Sequence, residues 1–102
     1  YGPTECAVWC TSYTNGASGY KPGIIGKPIA SVSWVVDPDD CNKLAPPGAI
    51  GELLVEGPIQ ARGYLNDIVK TEAAFINNPS WLVAGSKTCA GRQGRLYKTG
   101  DL

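Results

Sequence analysis

The chain has 102 residues, contains no His and no Met, and carries 9 acidic and 9 basic residues, so its formal net charge is zero. This length forms one small domain or part of a larger one, and a chain without Met is expected to be a processed product or an internal piece. The absence of His excludes imidazole catalysis and His-ligated metals in these residues. The balanced charge and the lack of a long apolar run predict binding to neither nucleic acid nor a membrane.

The predicted elements are mostly strands, because 13 Gly and 8 Pro divide the chain into short pieces separated by turns. Residues 32–36 are β-branched and aromatic and predict a strand that ends at the Asp-Pro-Asp-Asp turn at 37–40. Residues 51–57 predict a second strand, antiparallel to the first across a wide loop. Residues 60–65 could extend this sheet, with a bulge at Gly63.

Residues 66–76 predict one helix, with Asn66 as its N-cap and an apolar face that includes Val69 and Ile76. The Asn-Asn-Pro sequence that follows should end this helix. The next residues, 85–98, predict a polar loop and then a short strand. The fold class is therefore α+β, mainly β with one or two helices.

Four cysteines, Cys6, Cys10, Cys41 and Cys89, include no Cys-x-x-Cys pair, so a structural zinc site is not expected. In a secreted protein they could form two disulfides in any of three pairings. Their irregular spacing favours reduced thiols in a cytoplasmic protein. We expect Cys6 and Cys10, which flank an apolar run, to act as small buried hydrophobic residues.

The first five residues, Tyr1, Gly2, Pro3, Thr4 and Glu5, combine a stiff turn with polar side chains. Pro3 restricts the turn, and Gly2 allows a ligand to approach the backbone closely. The Thr4 hydroxyl and a backbone amide could bind a phosphate while the Glu5 carboxylate holds Mg²⁺. A solvated turn is the alternative interpretation of these residues.

A second polar turn contains Thr99, Gly100 and Asp101, directly after the last predicted strand. An Asp in this position can accept hydrogen bonds from two neighbouring hydroxyls, such as those of a ribose, although it is also typical of an ordinary turn. Residues 51–65 form a third distinctive stretch, whose structural interpretation is that Arg62 pairs locally beside a glycine bend.

Three signatures occur in order: Tyr-Gly-Pro-Thr-Glu at 1–5, Gly-Glu-Leu through Ala-Arg-Gly-Tyr-Leu at 51–65, and Tyr-Lys-Thr-Gly-Asp-Leu at 97–102. Together they resemble the adenylate-forming enzyme superfamily and, within it, the adenylation domain of a nonribosomal peptide synthetase. Ile-Gly-Lys-Pro-Ile at 25–29 fits the same family, and residues 78–97 look more like fungal than bacterial synthetases. The resemblance covers the whole chain and implies an internal fragment of a longer domain, without that family's upstream phosphate loop or the lysine of its C-terminal domain.

The resemblance implies an enzyme that activates an amino acid with ATP and Mg²⁺ and passes the aminoacyl group to a phosphopantetheine thiol. It also implies carrier and condensation domains of the same synthetase as partners. The isolated chain is expected to be inactive, because the phosphate loop and the lysine are missing. An acyl-CoA or aryl-CoA ligase of the same superfamily is an alternative, and so is a non-catalytic β-rich interaction module; sequence beyond these 102 residues would distinguish them.

The same resemblance assigns site residues to both ends of the chain. Tyr1 would stack on adenine beside Gly2, Thr4 would bond the α-phosphate, Glu5 would bind Mg²⁺, and Asp101 would hold the ribose hydroxyls. Thr4 and Glu5 are thus the expected catalytic residues.

Val8 and Trp9 are expected, again by resemblance, to line the pocket for the amino-acid side chain. The alternative is core packing, because residues 7–10 form an apolar run. Successive residues of a regular strand point to opposite faces, so both side chains can reach one pocket only where the backbone is irregular.

The family fold would divide the chain into three parts. Residues 24–96 would form a small distorted β-barrel, residues 1–23 would belong to a sheet edge of a larger α/β subdomain, and residues 97–102 would form the end of a nucleotide-binding strand.

Overall fold

The computed structural model describes residues 1–14, 19 and 22–102, and in this part of the chain the fold is mostly β with two short helices. The elements in chain order are β1 (Thr11–Ser12), β2 (Lys27–Pro28), β3 (Val32–Asp37), β4 (Asp40–Leu44), β5 (Glu52–Glu56), α1 (Ile68–Ala74), β6 (Phe75–Asn77), α2 (Ser80–Ala84) and β7 (Arg95–Lys98). The predicted α+β class is confirmed.

One antiparallel sheet of five strands, in the order β4-β3-β5-β7-β6, organises the molecule and curls into an open half-barrel. The predicted pairing of the first two strands is confirmed, with Val32 opposite Glu56 and Val36 opposite Glu52. The predicted last strand is confirmed as β7, which lies between β5 and β6. A separate two-stranded ladder pairs Thr11 with Pro28.

The connection between the first two predicted strands is not one wide loop, because β4 forms a tight hairpin with β3. Asp37 and Asp40 accept backbone hydrogen bonds from Asp39 and Asn42, at 2.9 and 3.0 Å, which stabilises the turn. The sequence of β4 is polar because it lies at the sheet edge and is largely exposed. The prediction that residues 60–65 extend the sheet is wrong, since none of them belongs to a strand of the sheet.

The helix is shorter than predicted and has a different N-cap. Asn66 adopts a left-handed φ of 55°, and the side chain of Asp67 caps the helix by accepting from the Lys70 amide at 2.9 Å. The predicted apolar face is not buried in this structure, because no residue of α1 is buried and Ile68 and Val69 are 73% and 81% exposed.

The chain leaves the helix at Phe75 and forms β6, since Phe75 packs against Tyr97 of the neighbouring strand with ring centroids 5.1 Å apart. Asn78 then turns the chain with a left-handed φ of 51°, and its side chain accepts from the Gly94 amide at 2.9 Å. The following five-residue helix α2 was not predicted. Its Trp81 indole donates to the Cys41 carbonyl at 3.0 Å, which ties α2 to β4.

The polar loop at 85–94 is held to the sheet by a charged cluster. Arg92 donates to both carboxylate oxygens of Glu56, at 3.1 and 2.7 Å, and the Trp34 indole donates to the same carboxylate at 2.8 Å. The rings of Trp34 and Trp81 lie 4.7 Å apart between their centroids. This loop is therefore anchored by side chains although it forms no strand of the sheet.

Two buried clusters lie on opposite faces of the sheet, because successive residues of a strand point to opposite sides. The first contains Cys6, Cys10, Val55, Phe75 and Tyr97, and the second contains Val36, Leu54, Leu82 and Leu96. The prediction that Cys6 and Cys10 are buried is confirmed, and their packing holds the N-terminal segment against β5, β6 and β7.

Candidate active site

Tyr1 and Asp101 lie 100 positions apart and meet on the surface, where the Tyr1 hydroxyl donates to Oδ2 of Asp101. The backbone of Tyr1 is fixed by the segment at 10–11, since its carbonyl accepts from the amides of Cys10 and Thr11 at 3.0 and 3.1 Å. The pKa of Tyr1 is raised to about 12, mainly by burial and secondly by the hydrogen bond to Asp101. The structure thus brings together the two residues that were assigned to adenine and ribose.

The turn that carries Asp101 is attached to β5 through Leu53. The Leu53 carbonyl accepts from the amide and the hydroxyl of Thr99, at 3.2 and 2.8 Å, and the Leu53 amide donates to the Asp101 carbonyl at 2.9 Å. The Thr99 hydroxyl also accepts from the Asp101 amide at 3.0 Å. Asp101 itself is exposed, so its side chain is accessible to a ligand.

Glu52 supports the same turn and, among the residues that the structure describes, is the only charged residue that is buried, with 8% exposure. Its Oε1 accepts from the Gly100 amide at 3.1 Å, and its Oε2 lies 3.8 Å from Nζ of Lys98. Glu52 is not among the site residues predicted from the sequence, although a carboxylate at the start of a buried strand is unusual and was the available signal.

A surface cleft of about 760 Å³ opens beside Tyr1 and Asp101. Its other walls are mainly apolar and include Ile25, Val35 and Ile50. Ligand pockets usually have volumes of about 300–1,000 Å³ and combine apolar walls with a few polar groups. A nucleoside with a flat ring and two hydroxyls is chemically suited to such a cleft.

Glu5 lies on the first turn, where the Cys6 amide donates to the Pro3 carbonyl at 3.0 Å. Oε1 of Glu5 accepts from the Tyr64 hydroxyl at 2.6 Å. This hydrogen bond is the main cause that holds the pKa of Glu5 below its ordinary value, so the side chain is an ionised carboxylate at neutral pH. The pKa of Tyr97 is raised well above its ordinary value, mainly by burial and secondly by the hydrogen bond of its hydroxyl to Glu5.

Glu5 offers a single carboxylate, which could bind a magnesium ion only together with oxygen atoms from a ligand. Mg²⁺ usually binds through one or two carboxylates together with substrate phosphates and water, rather than in an all-protein cage. Within the described residues, no group of three His, Cys, Asp or Glu side chains could hold a metal by itself. A metal at Glu5 would therefore need phosphate oxygens to complete its coordination.

Thr4 and Gly2 occupy the same exposed turn. A Cβ at Gly2 would lie 2.1 Å from the Val8 carbonyl oxygen and 2.3 Å from Cα of Trp9. The close approach of this neighbouring segment is itself sufficient to require glycine at position 2. Thr4 is exposed and lies directly before Glu5.

Val8 and Trp9 are exposed, at 82% and 62%, so core packing is not their role in this structure. The backbone is irregular here, since Val8 has a left-handed φ of 69° and the Trp9 amide donates to the Ala7 carbonyl at 2.9 Å. Irregular backbone was the condition for both side chains to reach one pocket. Their role in amino-acid selection stays a prediction.

Comparison with known proteins decides the family. A family model described as "AMP-binding enzyme" matches residues 1–65, which include the first two signatures. The chain belongs to the AMP-binding enzyme family. The third signature, at 97–102, lies beyond that match but within the alignments to full-length relatives.

The relatives of this AMP-binding chain include fungal nonribosomal peptide synthetases, as the resemblance predicted. All of the chain aligns with nonribosomal peptide synthetase TES of Alternaria alternata at 62% identity, and with nonribosomal peptide synthetase sidD of Aspergillus fumigatus at 58%. It also aligns along its whole length with peramine synthetase A of Epichloe festucae at 53% identity. The chain covers 2%, 5% and 4% of these three proteins, so it corresponds to a small part of each.

Two further observations concern the cysteines and the possibility of a membrane-spanning helix. All four cysteines are free thiols in the structure, with Cys6 and Cys10 buried and Cys89 exposed. In the part of the chain that the structure describes, no helix has both the length and the apolar character needed to cross a membrane.

Proposed function

We propose that this chain is part of an ATP-dependent adenylating domain of a fungal nonribosomal peptide synthetase, which forms an aminoacyl adenylate. The observation that carries the proposal is the contact between Tyr1 and Asp101 at the edge of a cleft of about 760 Å³. Family membership and the similarity to peptide synthetases support the same conclusion.

In this reaction a carboxylate oxygen of the amino acid attacks the α-phosphorus of ATP, and pyrophosphate leaves. The Tyr1 ring stacks on adenine, Asp101 accepts from the ribose hydroxyls, and the Thr4 hydroxyl donates to the α-phosphate. Glu5 holds Mg²⁺, which would neutralise negative charge on the phosphates. The protein's contribution is mostly positioning and electrostatic stabilisation, as is typical of reactions at phosphorus.

The aminoacyl adenylate then reacts with the phosphopantetheine thiol of a carrier domain, which forms a thioester and releases AMP. Carrier and condensation domains of the same cytoplasmic synthetase are the proposed partners, and Val8 and Trp9 the proposed side-chain pocket. We expect the isolated chain to show no adenylation, because the family's phosphate loop and C-terminal lysine have no counterpart among these 102 residues.

The experiment is ATP–pyrophosphate exchange by an intact adenylating domain that contains this chain. Asp101→Ala should raise the KM for ATP and lower kcat/KM by about 10- to 150-fold, since hydrogen bonds to a charged acceptor contribute about 1.5–3 kcal/mol. Asp39→Ala, which changes an exposed aspartate in the β3–β4 turn, is the matched control and should leave both constants unchanged.

Glu5→Gln should instead lower kcat, because the amide is a poorer ligand for Mg²⁺ than the carboxylate. Normal exchange in both the Asp101 and the Glu5 variants would refute the assignment of the site. Exchange that depends on fatty or aryl acids, rather than amino acids, would indicate an acyl-CoA or aryl-CoA ligase. No measurable ATP binding by the intact domain would favour a non-catalytic module.

A further inference from the structure

The carboxylate of Glu5 is clamped by a segment more than 50 positions away in the chain. The Tyr64 hydroxyl donates to its Oε1 at 2.6 Å, and the Ala61 amide donates to the Glu5 carbonyl at 2.7 Å. An isolated antiparallel bridge between Cys6 and Gln60 lies next to the second of these contacts. Both the backbone and the side chain of Glu5 are therefore held by residues 60–64.

Tyr64 is in turn fixed from the side of α1. Its amide donates to the Thr71 hydroxyl at 2.9 Å, and Nζ of Lys70 lies 4.2 Å from the centre of its ring. The Phe75 ring packs against it with a centroid distance of 6.1 Å. The phenol is thus held at its backbone and across its ring, so its hydroxyl has a defined position.

Gly63 allows this approach. It has a φ of 152°, and a Cβ there would lie 2.6 Å from Cγ2 of Thr71 and 2.8 Å from its Oγ1. Any other residue at position 63 would displace Thr71, which anchors the Tyr64 amide. Glycine is therefore required at position 63 for the same contact with Thr71 that fixes the position of the Tyr64 phenol.

We propose that Tyr64 is a positioning residue, which holds the Glu5 carboxylate in the orientation that binds Mg²⁺ together with the phosphates of the nucleotide. This inference rests on the proposed function. A carboxylate has about four acceptor sites, so the bond from Tyr64 and the weaker interaction with the Tyr97 hydroxyl still leave acceptor sites for a metal. At 2.6 Å the contact has the length of a charge-assisted O–H···O⁻ bond, which restricts rotation of the side chain without neutralising its charge.

The test measures metal affinity directly and does not depend on turnover. Binding of Mn²⁺, as a paramagnetic substitute for Mg²⁺, is followed by electron paramagnetic resonance in the intact adenylating domain with a non-hydrolysable ATP analogue. Tyr64→Phe should weaken Mn²⁺ binding about 10-fold, because loss of a residue that orients a metal ligand typically costs 10- to 100-fold in affinity. The KM for ATP at saturating Mg²⁺ should not change.

Three further variants make the result decisive. Tyr13→Phe removes another partly buried phenol hydroxyl and should bind Mn²⁺ like the wild type. Thr71→Ala keeps the phenol but removes the anchor of the Tyr64 amide, and should give a smaller loss of the same sign even if Tyr64→Phe folds poorly. In the double variant Glu5→Gln/Tyr64→Phe, the second substitution should add no further loss to that of Glu5→Gln alone.

The outcomes separate the two proposals. If Glu5→Gln weakens Mn²⁺ binding but Tyr64→Phe and Thr71→Ala bind as the wild type does, the positioning role is refuted and the metal site stands. If Tyr64→Phe weakens binding equally in the presence and absence of the Glu5 carboxylate, Tyr64 does not act through Glu5. If Glu5→Gln itself leaves Mn²⁺ affinity unchanged, the assignment of the metal ligand under the proposed function fails.

Discussion

Removal of the buried Glu52 carboxylate, which supports the turn at residues 99–101, should destabilise the domain and, under the proposed function, weaken ATP binding. Glu52 is 8% exposed and supplies the acceptor for the Gly100 amide. In Glu52→Ala this amide loses its partner, and Lys98 loses a carboxylate that lies 3.8 Å away. The turn that carries Asp101 would then be held by its hydrogen bonds to Leu53, by the internal bond to Thr99 and by the contact between Asp101 and Tyr1.

The magnitude follows from these contacts. A hydrogen bond to a charged acceptor contributes about 1.5–3 kcal/mol, and because Gly100 is exposed, water can reach its freed amide and bring the loss toward the lower end. The partly exposed pair with Lys98 adds about 0–1 kcal/mol. We therefore expect Glu52→Ala to lower the free energy of unfolding by about 2 kcal/mol. Glu52→Gln, which retains an acceptor for the Gly100 amide, should lose about half of that.

The assay is urea denaturation of the intact adenylating domain, combined with the KM for ATP in pyrophosphate exchange. The KM should rise in Glu52→Ala, but by less than in Asp101→Ala, because the remaining hydrogen bonds still hold the turn. Glu72→Ala, which removes an exposed glutamate on α1, is the control and should change the unfolding free energy by no more than about 0.5 kcal/mol. A value for Glu52→Ala as small as that of this control would refute the argument.

Three other predictions concern thiols, a phenol and an exposed indole. Burial raises the pKa of Cys6 to about 11 whereas Cys89 is exposed, so iodoacetamide at mildly alkaline pH should alkylate Cys89 and spare Cys6 in a mass-spectrometric time course; equal rates would contradict the burial of Cys6. The pKa of Tyr1 is raised from 10.0 to about 12, so the fold favours its neutral form, and the resulting stability should be present below pH 10 and lost as pH rises toward 12. Phenolate absorbance gives the pKa, and the free energy of unfolding measured from pH 10 to 12 tests the loss of stability. In Tyr1→Phe this free energy should fall less over the same pH range. Trp9→Ala should change the amino-acid preference in exchange assays with little effect on the KM for ATP, whereas uniform loss of activity with lower thermal stability would assign Trp9 to packing.

Local chemistry explains which elements could be predicted from the sequence. The pair β3 and β5 was predictable because β-branched residues and turn residues lie in short windows. The edge strand β4 could not be predicted, because its residues are polar and largely exposed and it forms only by pairing with β3. The N-cap was assigned to Asn66 instead of Asp67 because neighbouring Asn and Asp have similar capping preferences, and only the backbone conformation distinguishes them.

The site was less accessible to local reasoning. Composition could mark Glu5 and Asp101 as polar turn residues, but the meeting of Tyr1 and Asp101 depends on the pairing of β5 with β7, which spans distant segments. Family resemblance supplied that assignment. Tyr64 was treated as part of a structural bend, because a tyrosine after glycine carries no local sign that its hydroxyl reaches a carboxylate across the fold.

The contact between Tyr1 and Asp101 also has a consequence for the order of folding. Closing a flexible loop of 100 residues costs about 4 kcal/mol of chain entropy, so this contact is unfavourable as an early step. We expect the pairing of β5 with β7 to carry Asp101 to its final position and the packing of Cys10 to bring Tyr1 to it, so that two shorter closures replace one long closure. The contact between Tyr1 and Asp101 is therefore expected to form only after the segments that carry these two residues have docked.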